Sequence, residues 1–295
     1  MLPGRLPPEH MYPAGESRIN VRYVTLPDGV KVRVLESIPE QRDAVVLVHG
    51  WGGSVYSFAE TIPALAAAGY RAIAFDLPGH GLSDKPTDPS KYTTNALAKT
   101  IVAVADALGL KRFSLVGHSL GSTIALELAL QGERRIERLV LISPPALGKV
   151  RLLFWLKLFS PVAVNRFLPR LFTRRVVEFI LRRAFGTRTR PTERDVDEYW
   201  APTQFAEFTQ ACRECLHEVS WDRLEPSRLR GLRVPVLVIV GDRDRIVRGT
   251  ADRARQIQTA QLVQIPQGGH LVMQECATKA NAKLLLFLPG GRGRR

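Results

Sequence analysis

The stretch that most constrains this chain is residues 113–129, FSLVGHSLGSTIALELA. An apolar run through Phe113, Leu115 and Val116 meets a helix-forming segment with only Gly117-His118-Ser119-Leu120-Gly121 between them. A G-x-S-x-G pattern in that setting predicts a sharp strand-to-helix turn. Its glycines stand where side chains would collide with the neighbouring strand and helix. Its serine is held in a strained backbone conformation with Oγ exposed above the sheet. The start of the helix brings the Leu120 N–H and the positive end of the macrodipole toward that oxygen. Ser119 is therefore a candidate nucleophile. The bland alternative is an idle serine in a Gly-rich turn, and the partners that the rest of the chain supplies decide between the two.

Taken in order, residues 19–26 and 30–35 alternate apolar and polar side chains around Pro27-Asp28-Gly29, a hairpin signature. Residues 44–48 are continuously apolar, as in a strand buried on both faces. A helix is expected over 55–68, a strand over 71–75, a helix over 94–108 and a strand over 136–142. From 146 to about 223 the spacing is helical with no strand pattern. Alternation resumes with a strand at 234–240, a helix at 250–258, a strand at 261–265 and a helix at 271–287. Strands alternating with helices predict an α/β fold: a mostly parallel central sheet with helices on both faces. The expected organisation is a core of 18–145 and 224–288, a helical cap insertion of 146–223, and flexible tails at 1–17 and 289–295. An insertion between two strands lies at the carboxyl edge of such a sheet, where ligands sit.

Charge bears on partners. The 295 residues carry 42 Lys+Arg against 28 Asp+Glu, a net charge of +14, which favours contact with something anionic. Between Lys149 and Arg194 there are twelve basic residues against Glu178 and Glu193. The same region opens with VRLLFWLKLF, apolar on nearly every helical face, and Phe154, Trp155, Phe159, Phe167 and Phe172 form its greasy side. Peripheral contact with an anionic membrane surface is one expectation, and a solvated arginine face is the other. Nucleic acid is not expected, because no recognised binding motif accompanies the arginines. Three cysteines, Cys212, Cys215 and Cys276, do not make a disulfide framework and suit a reducing compartment. Cys212-x-x-Cys215 lacks the second half of a zinc site and reads as two small buried side chains on a helix. No metal or cofactor is expected. The first residues hold no apolar core of signal-peptide length, and no run of eighteen apolar residues occurs, so the expected location is cytoplasmic, with membrane association through the basic insertion.

A serine nucleophile needs a base, an acid to orient it and donors for an oxyanion. His270 follows the last expected strand in Gly268-Gly269-His270, and no other histidine has the chain order of a base. The acid belongs in Gly241-Asp242-Arg243-Asp244, where spacing does not choose between Asp242 and Asp244. A second oxyanion donor suits the loop His49-Gly50-Trp51-Gly52-Gly53, with the Trp51 N–H as candidate. His49, Gly50, His118, Phe154 and Trp155 are candidate pocket residues.

Four motifs in register resemble the α/β-hydrolase fold family, with its esterases, lipases and epoxide hydrolase-like proteins. They are His49-Gly50-Trp51-Gly52, Asp76-x-x-Gly79-x-Gly81-x-Ser83, Gly117-x-Ser119-x-Gly121, and Gly241-x-x-Asp244 with Gly269-His270. The resemblance covers about residues 20–288 and is weakest in the insertion. It implies Ser119 as nucleophile, Asp244 as acid, His270 as base, and the Trp51 and Leu120 N–H groups as oxyanion hole. A serine at the turn departs from the haloalkane dehalogenase and epoxide hydrolase branches, which carry aspartate there. The implied function is hydrolysis of small or lipid-like carboxylic esters through an acyl-enzyme. Acyl transfer or C–C bond hydrolysis with the same triad is an alternative, and a weakly active ligand-binding protein of this fold is another.

Overall fold

The apolar runs become strands β1 (Ile19–Thr25), β2 (Lys31–Ser37), β3 (Ala44–Val48), β4 (Arg71–Phe75), β5 (Phe113–His118), β6 (Ile136–Ile142), β7 (Val236–Gly241) and β8 (Ala260–Ile265). The computed structural model describes residues 4–37, 43–150, 157, 172–186 and 190–290. The strands form one sheet in the order β1-β2-β4-β3-β5-β6-β7-β8. β1 and β2 make the expected antiparallel hairpin, β2 pairs antiparallel with β4, and every later pairing is parallel.

Parallel neighbours need crossovers, and the crossovers cover both faces of the sheet. Alternate residues of one strand therefore serve two cores. Val46 and Val48 point to a cluster with α2 (Thr94–Ala107) and α3 (Leu120–Leu130), through Leu97, Ile101 and Ile124. Val45 and Leu47 point to a second cluster with Ile62, Leu65, Leu284 and Phe287. The strands from β3 to β7 are nearly closed to water, which is why their sequences read as unbroken apolar runs.

Three helix expectations are adjusted. The stretch 55–68 splits into a 3-10 turn, Val55–Phe58, and a helix, Thr61–Ala67. Pro63 has no N–H to donate, so it fits only in the first turn of that helix. The expected 250–258 helix stops after Thr250–Ala254. The last helix breaks at Cys276 (φ −125°, ψ 36°) into Val272–Glu275 and Ala277–Phe287.

Between β6 and β7 the described residues hold α4 (Arg174–Ala184), α5 (Glu193–Trp200) and α6 (Ala206–Glu218). Thr173 caps α4, and Thr192 with Asp195 makes a capping box at the start of α5. Cys212 and Cys215 are both buried on α6, and burial pushes the Cys212 thiol up to about 12. Phe154, Trp155, Phe159 and Phe167 lie outside the described residues. Among the described residues no helix is long and apolar enough to cross a membrane.

The N-terminal arm makes specific contacts with the rest of the chain. Met11 and Tyr12 are 2% and 7% exposed. The Tyr12 N–H donates to Glu198 Oε1 of α5 at 2.7 Å, and the Tyr12 carbonyl accepts from Arg33 at 3.2 Å. Further out, Arg5 donates to Thr203 Oγ1 at 2.9 Å and lies 4.6 Å over the Trp200 ring. The arm folds as a 3-10 turn, Pro8–His10, followed by further turns, and buries two large side chains. At the other end the Pro289 carbonyl accepts from Tyr70 Oη at 3.1 Å, so the chain is held at least that far. Met11→Ala is expected to cost about 2–5 kcal/mol in urea unfolding, the range for truncating a buried methionine. An undocked arm would leave the midpoint unchanged.

Candidate active site

Ser119 joins β5 to α3 with φ 50° and ψ −117°, a conformation that non-glycine residues rarely adopt. Such a residue costs on the order of 1–3 kcal/mol and persists only where its surroundings over-determine it. Here the Ser119 N–H donates to the Ile142 carbonyl at 2.9 Å, and its own carbonyl accepts from the Ser122 N–H at 2.9 Å. The flanking glycines are a matter of space. A Cβ on Gly117 would stand 2.4 Å from the Gly121 carbonyl oxygen, and one on Gly121 would stand 2.1 Å from the Val48 oxygen. Helix α3 thus lies directly against the ends of β3 and β5, and the turn lifts the serine clear of both.

His270 follows β8 on the loop Gly268-Gly269, and its Nε2 is 3.0 Å from Ser119 Oγ. Its Nδ1 is 2.9 Å from Asp244 Oδ2. Asp244 Oδ1 accepts the N–H groups of Ile246 and Val247 at 2.8 and 2.9 Å. These bonds imply one tautomer: Nδ1–H donates to the carboxylate, leaving Nε2 to accept from the serine hydroxyl. Burial favours the protonated acid at Asp244, but His270 and the two N–H groups outweigh it and hold the carboxyl below its ordinary value. Asp242 is turned away. Its Oδ1 accepts the Gln267 N–H at 2.7 Å and so braces the base loop. The two aspartates that spacing leaves open are separated by geometry.

The loop after β3 passes beside the serine. A Cβ on Gly50 would stand 3.0 Å from both Ser119 Cβ and His118 Nδ1, tight enough that these side chains would have to shift. The N–H groups of Trp51 and Leu120 donate to no acceptor among the described residues. His49 and His118, pocket candidates from sequence, take a different place. His49 is fully buried, with Nδ1 on the Gly50 carbonyl at 2.8 Å and Nε2 accepting the Leu77 N–H at 3.0 Å. Its two ring nitrogens join the loop after β3 to the loop after β4, so it braces both from behind. His118 donates Nε2–H to the His270 carbonyl at 3.0 Å with the rings 5.0 Å apart. Burial, then the neighbouring His270, push its ring down to about 3, so it stays neutral.

Several supporting residues act through contacts that a motif does not show. Asp76, in the second motif, accepts from Arg33 Nε at 2.8 Å, the Val55 N–H at 2.8 Å and the Leu82 N–H at 2.9 Å. It ties the loops after β3 and β4 to β2. Burial opposes its charge, but Arg33, His49 and these N–H groups keep it ionised below the ordinary range. Glu275 accepts the Gly269 N–H at 2.6 Å and also the Gly186 N–H, joining the base loop to the end of α4. The His270 N–H donates to the Ala184 carbonyl at 2.6 Å. The insertion therefore touches His270 directly. Tyr56 Oη donates to Asp195 at 2.8 Å, Tyr199 Oη donates to Gln274 at 2.7 Å, and Trp51 Nε1 donates to the Cys212 carbonyl at 2.7 Å. These contacts join residues far apart in sequence, and of these supporting side chains only those of Asp76 and Trp51 lay in a motif legible in the chain. An open groove of about 720 Å³ lies elsewhere, between the N-terminal arm and β1, and is lined by Met11, Pro13, Val21 and Tyr23. None of Ser119, Asp244 and His270 reaches it.

The profile of the alpha/beta hydrolase fold matches residues 43–275. This chain belongs to the α/β-hydrolase family. It is 31% identical over 258 residues to the dihydrolipoyllysine-residue acetyltransferase component of an acetoin cleaving system from Pseudomonas putida, a match covering 83% of this chain but 63% of that relative. It is 30% identical over 258 residues to the uncharacterized hydrolase YugF of Bacillus subtilis (strain 168), covering 84% of this chain and 90% of the relative. Among solved structures, a bacterial membrane phospholipase A superposes with a TM-score of 0.77 at 24% identity, covering 94% of this chain and 87% of that one. Identity at that level speaks to the fold alone.

Two measurements bear on the site. Asp244→Asn is expected to lower kcat for a chromogenic ester by about four orders of magnitude, whereas Asp242→Asn stays within about tenfold of the parent. The reverse ranking would reassign the acid. Asp76 and Asp244 have folded pKa values below their unfolded value of 3.8, so their contribution to stability is complete above that value and is lost as pH falls through the folded ones. The urea midpoint should fall as pH drops below about 4, and fall less steeply in Asp244→Asn.

Proposed function

We propose that this hydrolase-family chain cleaves carboxylic esters through a serine acyl-enzyme. The observation that carries this reading is the continuous hydrogen-bonded line Ser119–His270–Asp244, at 3.0 and 2.9 Å, ending on a serine held at positive φ. In the proposed reaction His270 Nε2 takes the hydroxyl proton as Ser119 Oγ attacks the ester carbonyl. The N–H groups of Trp51 and Leu120 stabilise the oxyanion. Asp244 holds the imidazole in its tautomer and stabilises the imidazolium that forms. His270 then gives its proton to the leaving alkoxide, and the alcohol departs. Water, deprotonated by the same imidazole, attacks the acyl-enzyme and releases the acid. His118 and Ala184 fix the carbonyl and N–H of His270, so the ring has little freedom to leave this line.

Serine at the turn supports acyl chemistry over the alkyl-enzyme chemistry that aspartate would allow. Acyl transfer to an acceptor other than water is a second reading, favoured by the printed name of the Pseudomonas putida relative. Product analysis with an added alcohol separates the two: a transesterified product in place of the free acid favours transfer.

Ser119→Ala is expected to lower kcat against a short p-nitrophenyl ester by about five orders of magnitude and to abolish labelling by a fluorophosphonate probe. Activity within tenfold of the parent, or undiminished labelling, would remove Ser119 as the nucleophile.

A further inference from the structure

Helix α4, RRVVEFILRRA, presents two unlike faces. Val177, Leu181 and Ala184 are buried against the molecule. Val176, Phe179 and Ile180 are 40%, 57% and 48% exposed. These are three of the six large apolar side chains exposed among the described residues, and all three belong to this one helix. Spacings of three and four residues line them into a single outward stripe with Arg183. Exposed apolar side chains occur singly on most surfaces, but a continuous stripe on a short helix calls for something to cover it.

The charges beside the stripe identify the chemistry of that cover. Arg174 is engaged by Glu193 and Asp197, and Arg182 by Glu178. Arg175 and Arg183, on this helix, are exposed and form no ion pair among the described residues. Arg183 lies with its guanidinium 4.6 Å over the Phe179 ring, so a cation and an aromatic face leave the surface together. Bulky apolar groups interleaved with unpaired arginines suit an interface where acyl chains and phosphates lie side by side. The whole chain adds to the attraction with its net charge of +14.

We propose that α4 is a docking surface for an anionic lipid bilayer. The helix lies in the interface, with Val176, Phe179 and Ile180 among the outer acyl segments and Arg175 and Arg183 at the lipid phosphates. Its inner end is the Ala184 carbonyl that accepts the His270 N–H at 2.6 Å. A bilayer on this face therefore lies at the element that mounts the proposed base. The surface itself stands independently of the ester-hydrolase reading, because nothing in its argument uses Ser119.

The test is co-sedimentation of the full chain with phosphatidylglycerol-containing vesicles and with pure phosphatidylcholine vesicles, at low and high salt. Binding to the anionic vesicles that weakens with salt is expected, with little binding to the neutral ones. Arg175→Gln and Arg183→Gln should each weaken partition about fivefold. The double variant Phe179→Ser, Ile180→Ser should weaken it further at either salt concentration. All these side chains are exposed, so the variants should keep the parent unfolding midpoint, and Ser119→Ala should bind vesicles like the parent. Equal binding to both vesicle types, no binding to either, or parent-like binding by the variants would overturn the proposal. Self-association of the free protein that disappears in the Phe179, Ile180 variant would assign the face to a second copy and overturn it as well.

Discussion

The structure turns on one close approach. Helix α3 begins against the ends of β3 and β5 with no room for a side chain at Gly117 or Gly121, where a Cβ would meet backbone oxygens at 2.4 and 2.1 Å. That contact sets the crossing of helix and sheet, forces Ser119 to φ 50°, and points its hydroxyl out of the packed layers. The loop after β3 is drawn beside it because β3 and β5 are parallel neighbours, with Val48 opposite Gly117. Strand pairing thus brings the Gly50-Trp51 loop to the serine, and the serine's strain is carried by a sheet whose central strands are nearly closed to water.

Around that point the polar groups form two supports. One is beneath the loops: Asp76 gathers Arg33, Val55 and Leu82, and His49 spans Gly50 and Leu77. The other is around the base, where His118, Ala184 and Glu275 hold the main chain of residues 269–270. Every partner in these supports is buried or shielded, so each bond is stronger than it would be in water and costlier to leave unmade. The insertion belongs to the second support. It cannot shift without loosening the backbone of His270, which makes its outer surface relevant to the site as well as to whatever lies above it.

Much of this was legible in the chain. The alternation of apolar runs with helical spacing announced a parallel sheet covered on both faces, because period-two and period-3.6 patterns are local consequences of burial. The Gly-x-Ser-x-Gly turn and the Gly-Gly-His loop were legible for a similar reason: tight backbone approaches admit few residue types. Helix ends were less legible where a proline or a break intervened, as at Pro63 and Cys276. The contacts of the N-terminal arm were not legible. Its prolines and glycines suggest mobility, yet Met11 and Tyr12 are anchored by α5 and Arg33, partners nearly two hundred and about twenty residues away.

By itself, then, the sequence determined the fold class, the turn that presents Ser119 and the loop that carries His270, since each depends on residue types within a few positions of one another. Tertiary structure alone set Asp244 apart from Asp242. Both follow the same strand, and only the position of the β8 loop shows that one faces the imidazole while the other faces the Gln267 N–H. It likewise decided that His49 and His118 are braces rather than pocket walls, and that α4 turns Val176, Phe179 and Ile180 outward. A side chain's role depends on what the rest of the chain places within a few ångströms of it, and for these residues those neighbours come from distant segments.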